Sequence, residues 1–309
     1  MGGSGSGDFA DLVGGKMMEE LERRQKGIGG TDISAIVGLN PWRTALDIWL
    51  EKTGQAEPQE DNEAMYWGRK MEPLLAERYE KETDRKIFET PEIIDPNKSW
   101  HRGSPDRLVY VYDGVLSRDD PAHVLEGIVE LKTSGQPQEW GEPGTDEVPE
   151  HYHLQCDYYM GLTGAHWCDL AVLLMGFKRE FRIYHINRDQ ELIDYLIEEA
   201  RNFWFNYVIP GIPPELDGSE SARQYLNRLY PKSQGAMFEP TDPEILITVG
   251  KYAHARKQIV NWTEQAAIQE MRLKSFIGDA AGMKGDWGKI TWKSGKNGNR
   301  RFYPQFKGV

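Results

Sequence analysis

The chain is 309 residues long and 39% hydrophobic, enough to bury a sizeable core, which excludes intrinsic disorder and a short peptide scaffold. Its 37 basic and 49 acidic residues sum to −12, so no global cationic field draws in nucleic acid and a histone-like binder is excluded. The two cysteines, Cys156 and Cys168, supply neither a disulfide framework nor a four-ligand zinc cluster, and no apolar run approaches the ~20 residues of a membrane span.

Residues 1–16, MGGSGSGDFADLVGGK, read as a flexible leader or an appended scar and carry no fold information. The start of the chain lacks a basic-then-apolar signal pattern, which with the cysteine usage fits a reducing cytoplasm and no membrane partner. Helical character begins near Met17. Two short helices follow, the first capped by Thr31 or Asp32 and ended by Gly38, the second opened by Asn40-Pro41 and closed by Gly54. Leu46, Trp49, Leu50 and Thr53 give the second a single buried face. The stretch NEAMYWGRKMEPLLAERYEKETDRK predicts another helix with Met71, Leu75 and Tyr79 on its apolar stripe and Pro73 as a start or a kink.

Strand-like runs come next, KIFET, RLVYVYDGVL and VLEGIVELKTS, punctuated by Asp-Gly and Asp-Pro. A helix over VPEHYHLQCDYYMGLTGA, two strands over HWCDLAVLLMG and KREFRIYHINRD, and an amphipathic helix ending before Pro210 complete an α/β pattern around a mixed sheet. This core spans 17–210. A connector with a short helix occupies 211–242, and 243–309 holds a long helix from Pro243 to near Ile277 and a β-hairpin turning at Asn297-Gly298.

The chemistry concentrates in Ser104-Pro105-Asp106 and Glu130-Leu131-Lys132. Strand alternation puts Glu130 and Lys132 on one face and Leu131 on the other, so an acid and a base emerge side by side. With an acid on a neighbouring strand they can form an oxygen cage beside an ammonium. Such a cage suits a hard divalent ion that keeps waters able to attack a phosphodiester, with Lys132 holding the phosphate or the water. Glu72 has the helical phase that turns its carboxylate toward the packed side, and Gln155 and Tyr159, four apart, reach one surface spot.

The order GIGGTDISAIVGLNPW, WGRKMEP, GSPD, VELKT and QCDYY followed by TGA resembles the YqaJ-type viral recombinase family, which groups with phage lambda exonuclease in the PD-(D/E)xK nuclease superfamily. The resemblance covers roughly residues 20–210 and extends to the long helix and basic tail. It implies a restriction-endonuclease-like core with a mixed central sheet flanked by helices. It also implies a 5′→3′ exonuclease that resects linear double-stranded DNA ends with one or two Mg²⁺ or Mn²⁺ ions in the cytoplasm of a bacterial host. A phage single-strand annealing protein would take the 3′ strand, and a homotrimer ring would enclose the DNA. Carried residue by residue, Glu72, Asp106, Glu130 and the Leu131 carbonyl match the metal ligands, Lys132 the catalytic lysine, and Gln155 and Tyr159 the QxxxY element. Arg24 and Thr31 fall where the DNA 5′-phosphate is held. The loop between Asp106 and Glu130 is longer than in lambda exonuclease, a departure that touches the channel entrance rather than the metal cage.

Bland readings stand beside these. Glu72 pairs with Arg69 on the surface, Asp106 bonds its own turn, and Gln155 and Tyr159 form a polar helix edge with a half-buried aromatic. His151 and His153, two apart, face away from each other and make no joint metal site. Cys156, Cys168, Trp49, Trp67 and Trp204 read as core, Trp287 and Trp292 as contact residues. Residues 284–309 carry seven cations against Asp286, and local sign outweighs total charge when the screening length is ~8 Å, so Lys289, Lys293, Arg300 and Arg301 are candidate DNA contacts. The alternative functions are a single-strand or endonucleolytic relative, which often carries a four-cysteine iron–sulfur site, and a non-catalytic DNA-end scaffold.

Overall fold

The computed structural model describes residues 22–56, 62–111, 124–233, 235, 237–294 and 299–307. The leader 1–16, the part of the Asp106–Glu130 loop over 112–123 and the turn at Asn297-Gly298 lie outside the described residues. The chain divides into two compact units between Pro231 and Lys232.

In the first unit, α1 (Gly30–Ile36), α2 (Ala45–Lys52) and α3 (Glu63–Thr83) precede a hairpin, β1 (Ile93–Asp95) with β2 (Lys98–Gly103). Then come β3 (Arg107–Val111), β4 (Val124–Ser134), α4 (Glu150–Thr163), β5 (Trp167–Met175), β6 (Arg179–Asn187), α5 (Gln190–Phe203) and α6 (Glu220–Leu229). The central sheet runs β3-β4-β5-β6, parallel between β4 and β5 and antiparallel at both flanks, the mixed α/β arrangement expected. Helix α4 makes the crossover that a parallel β4/β5 pair requires.

Two apolar clusters sandwich the sheet. One joins α1, α2, α4 and α5 to Ile128, Leu170 and Val172; the other joins Leu75 and Tyr79 of α3 to Val109, Val129, Leu131 and Ala171. Neighbouring strand residues thus enter different clusters, as pleating dictates. Tyr225 of α6 packs edge-on against Trp49 at 5.6 Å, so the short helix assigned to a connector belongs to this unit.

Several local expectations are corrected. Helix α1 is capped from Gly29, with Asp32 accepting the Gly29 N–H at 3.0 Å, and α2 starts at the Thr44/Asp47 capping box rather than at Asn40-Pro41. Asn40 instead closes a turn, its side-chain Oδ1 accepting the Trp42 and Arg43 N–H groups at 2.9 Å. Pro73 lies inside α3, and Phe88 of KIFET makes only an isolated bridge to Leu108. Hairpin β1–β2 escapes pattern reading because its buried strand end is polar, with Arg102 paired to Glu92 at 2.7 Å and His101 near Asp95 at 3.4 Å. Trp67 is not core: it is 53% exposed and donates to Glu63 at 2.9 Å. No helix among the described residues is long and apolar enough to cross a membrane.

The second unit contains α7 (Pro243–Ile277) and a sheet of three strands, not two: β7 (Gly282–Gly285), β8 (Gly288–Ser294) and β9 (Arg300–Phe306), with β8 in the middle. Arg300, expected at DNA, has a structural task. It donates to the carbonyls of Trp292 at 2.9 Å, Gly278 at 2.6 Å and Ala280, and its guanidinium lies 3.7 Å over the Trp292 ring. A cation there meets the carbonyls left over where α7 ends. Trp292 is therefore packed, while Trp287 is 42% exposed. Replacing Arg300 with Ala should cost this unit about 2 kcal/mol, as expected for charge-assisted bonds to backbone. Hydrogen exchange should then speed up over 278–306 and stay unchanged in the first unit. Unaltered exchange in the tail would exclude this role.

Candidate active site

Strand β3 begins only at Arg107, paired with Val129, whereas β4 continues past it, which leaves the edge of 130–132 open for the turn Ser104-Pro105-Asp106. Asp106 fills that edge: its Oδ2 accepts the Leu131 N–H at 2.8 Å, and its own N–H donates to Glu130 Oε1 at 3.2 Å. Asp106 is thus more than a turn residue. Since the N–H and C=O of one strand residue point to the same edge, the Leu131 carbonyl faces Asp106 as well.

Glu130 and Lys132 share the α4 face. Lys132 Nζ lies 2.6 Å from Glu130 Oε2 and 3.8 Å from Asp106 Oδ2, and Gln155 donates to Glu130 Oε2 at 2.7 Å. Glu130 has 0% exposure; burial first and the Asp106 carboxylate second push it up to about 7, against the pull of Lys132. Burial opposes the Lys132 charge, yet Glu130 and Asp106 hold its ammonium well above the ordinary lysine range. Tyr152 flanks the ammonium, 5.7 Å from ring centre to Nζ.

Glu72 does not join this pair. Helix α3 covers the opposite face of the sheet, the face that Leu131 and Arg107 share, and Glu72 accepts from Arg107 Nη1 at 2.8 Å. That same nitrogen donates to the Asp106 carbonyl at 2.5 Å, so Glu72 is linked to the site through Arg107. Among the described residues no group of three His, Cys, Asp or Glu side chains can hold a metal. The donor set therefore fits an ion with few protein ligands. Mg²⁺ suits it, because it is commonly held by one or two carboxylates plus waters and substrate oxygens, and Lys132 already shows that both carboxylates attract one cation.

A cavity of about 210 Å³ reaches Ser104, two residues before Asp106, and its walls also include Arg23, Arg24, Thr31, Lys52 and Arg102. Four cations line it against two acids, Asp32 and Glu92. Arg24 is anchored to Glu51 at 2.9 Å and Asp32 at 3.5 Å, Lys52 to Asp32 at 2.6 Å, and Arg23 donates to Ser104 at 3.3 Å. Burial works against the Asp32 charge, but Lys52, Arg24 and Arg43 hold its carboxyl far below the usual range. Arg24 and Thr31, singled out from the sequence, both line this cavity, whereas Arg23, Lys52 and Arg102 were not singled out. The Arg23-Arg24 doublet was a usable signal; a lysine at a helix end gave none, because burial of Lys52 is decided by packing.

Tyr159, one helical turn from Gln155, lines the cavity. A Cβ on Gly30 or Gly103 would lie 2.6 or 2.5 Å from its ring, so both glycines are needed to seat it. His151 packs edge-on against Trp42 and tilted against Tyr152 while His153 pairs with Asp157 at 2.8 Å, so the two face apart as expected. Cys156 and Cys168 are buried and free.

Residues 21–166 match the YqaJ-like viral recombinase domain. The uncharacterized protein YqaJ of Bacillus subtilis (strain 168) is 31% identical over 282 residues, covering 89% of this chain and 82% of that one. Among solved structures, an alkaline exonuclease from Laribacter hongkongensis is similar at 20% identity and a TM-score of 0.48, covering 69% of this chain and all of that one. A phage-related exonuclease from Haemophilus somnus 129PT is similar at 14% identity and a TM-score of 0.43, covering 66% of this chain and 96% of that one.

Burial of Glu130 sets a pH dependence. The folded protein keeps the Glu130 proton up to about pH 7, whereas an unfolded chain releases it near 4.5, so the folded state binds more protons across that interval. Stability of the metal-free protein in urea should fall as pH rises through this window, and Glu130→Gln should flatten the fall. An identical slope in wild type and variant would rule out the buried carboxyl as its source.

Proposed function

Because the chain belongs to the YqaJ-like viral recombinase domain family, we propose that it is a nuclease, a metal-dependent 5′→3′ exonuclease that resects linear double-stranded DNA. The observation that carries this reading is the convergence of Asp106, Glu130 and Lys132 at the open edge of β4. Asp106, Glu130 and the Leu131 carbonyl would hold Mg²⁺ or Mn²⁺, which when bound supplies an activated water and neutralises charge on the leaving oxygen.

The chain's own residues divide the remaining work. Gln155 fixes the orientation of the Glu130 carboxylate, so one oxygen stays turned to the site. Lys132 is a charged donor that the two acids keep protonated, placed to hold the scissile phosphate or orient the nucleophile. The cation-lined cavity suits a terminal phosphate: Arg24 is pre-oriented by Glu51 and Asp32, and Arg23, Thr31 and Ser104 stand around the same space. Ser104 is two residues from Asp106 and Tyr159 one helical turn from Gln155, so a phosphate held there registers the chain end against the acids. The 3′ strand left behind is the substrate class for an annealing protein. Three copies around the duplex would follow the wider family pattern.

The Glu72–Arg107 pair favours a second reading, a DNA-end scaffold without hydrolysis, because it removes one acid from the cage. Both are tested by incubating the protein and Lys132→Ala with Mg²⁺ or Mn²⁺ on 5′-phosphorylated linear duplex, unphosphorylated linear duplex and closed circles. Loss of the first substrate, slowed about 10²- to 10³-fold in the variant, is expected. Cutting of circles points to an endonuclease, and no digestion with either metal points to the scaffold. Arg24→Ala should bring the rates on phosphorylated and unphosphorylated ends together; a preserved preference would remove the cavity from the account.

A further inference from the structure

Strands β7, β8 and β9 pair Lys284 with Lys289, Thr291 with Tyr303, Lys293 with Arg301 and Lys289 with Gln305. Paired residues share a face, so Lys284, Lys289, Lys293 and Arg301 stand together, with Thr291 and Tyr303 between the two cation pairs. All four cations are exposed, and none of the described residues of the three strands is acidic; Asp286 lies in the turn that joins β7 to β8. The other face is fixed inward by Ile290, at 2% exposure, and by Trp292 and Phe302, whose rings take Lys274 at 5.8 and 5.3 Å.

Like charges directly opposite one another destabilise a sheet, and here two such pairs sit about 13 Å apart along β8. Lysines that guard sheets against aggregation stand on edge strands, but β8, which carries Lys289 and Lys293, is the central strand. A polyanion laid across the face turns both repulsive pairs into binding contacts. Tyr303 selects among polyanions. Its ring is 60% exposed, has no ring contact among the described residues and lies between the cations, where it can stack on an unpaired base, whereas bases within a duplex have both faces covered.

We infer that this face of the C-terminal sheet is a binding surface for single-stranded DNA, with Lys284, Lys289, Lys293 and Arg301 on phosphates and Tyr303 against a base. The inference takes from the proposed function only that DNA is the polymer handled, and it separates Arg301 from its neighbour Arg300, which faces the end of α7.

The full chain is titrated in EDTA, which prevents hydrolysis, against fluorescent oligothymidylate and a blunt hairpin duplex at several salt concentrations. In Lys289→Gln/Lys293→Gln/Arg301→Gln the slope of log affinity against log salt for the single strand should become shallower by about 2, at about 0.7 per cation. Tyr303→Ala should bind the single strand about tenfold more weakly and the hairpin unchanged. Circular dichroism checks folding, and Lys293→Gln alone, with a slope change of about 0.7, replaces the triple variant should that fail to fold. An unchanged slope, or equal loss on hairpin and single strand, overturns the inference. Digestion of linear duplex by the same proteins with Mg²⁺ is scored separately: a wild type that digests nothing yet loses single-strand binding in these variants sinks the nuclease reading and leaves this surface standing.

Discussion

A carboxylate removed from water must be met by donors, and Glu130 is such a group at the centre of the first unit. An isolated buried charge is prohibitively unfavourable, whereas one with several hydrogen bonds is tolerable. Glu130 finds the Lys132 ammonium on its own strand, the Gln155 amide on α4 and the Asp106 N–H on the turn before β3. Three separate chain segments are therefore held in register by one side chain. Even with these partners, burial and the neighbouring Asp106 carboxylate push its carboxyl up to about 7.

The cavity beside the acids follows a related logic with the opposite sign. Asp32 and Glu51 are surrounded by Arg24, Arg43 and Lys52, so the acids act as pegs that fix the cations in place. Tyr159 lines this cavity, and it fits only because Gly30 and Gly103 present no Cβ to its ring.

The second unit uses alternation for a division of labour. Arg300 and Arg301 are adjacent, yet one serves carbonyls at the end of α7 and the other stands exposed among like charges. A count of basic residues in the tail treats them alike; the register of β9 against β8 does not.

Much of this was legible in residue order. Periodicity placed α3, α4, α5, α7 and strands β3 to β6, because pleating and helical pitch act locally, and the same alternation put Glu130 and Lys132 on one face with Leu131 behind. Asp106 was recognisable from the Ser-Pro-Asp turn feeding a strand. Glu72, expected among the site's acids, pairs with Arg107, since helical phase shows which way a side chain leaves its helix but not which face of the sheet that helix covers. Burial of Lys52, exposure of Trp67 and the polar strand β2 were likewise settled only by packing. Local geometry depends on a few neighbours along the chain, whereas the surroundings of a charge depend on every segment that folds against it.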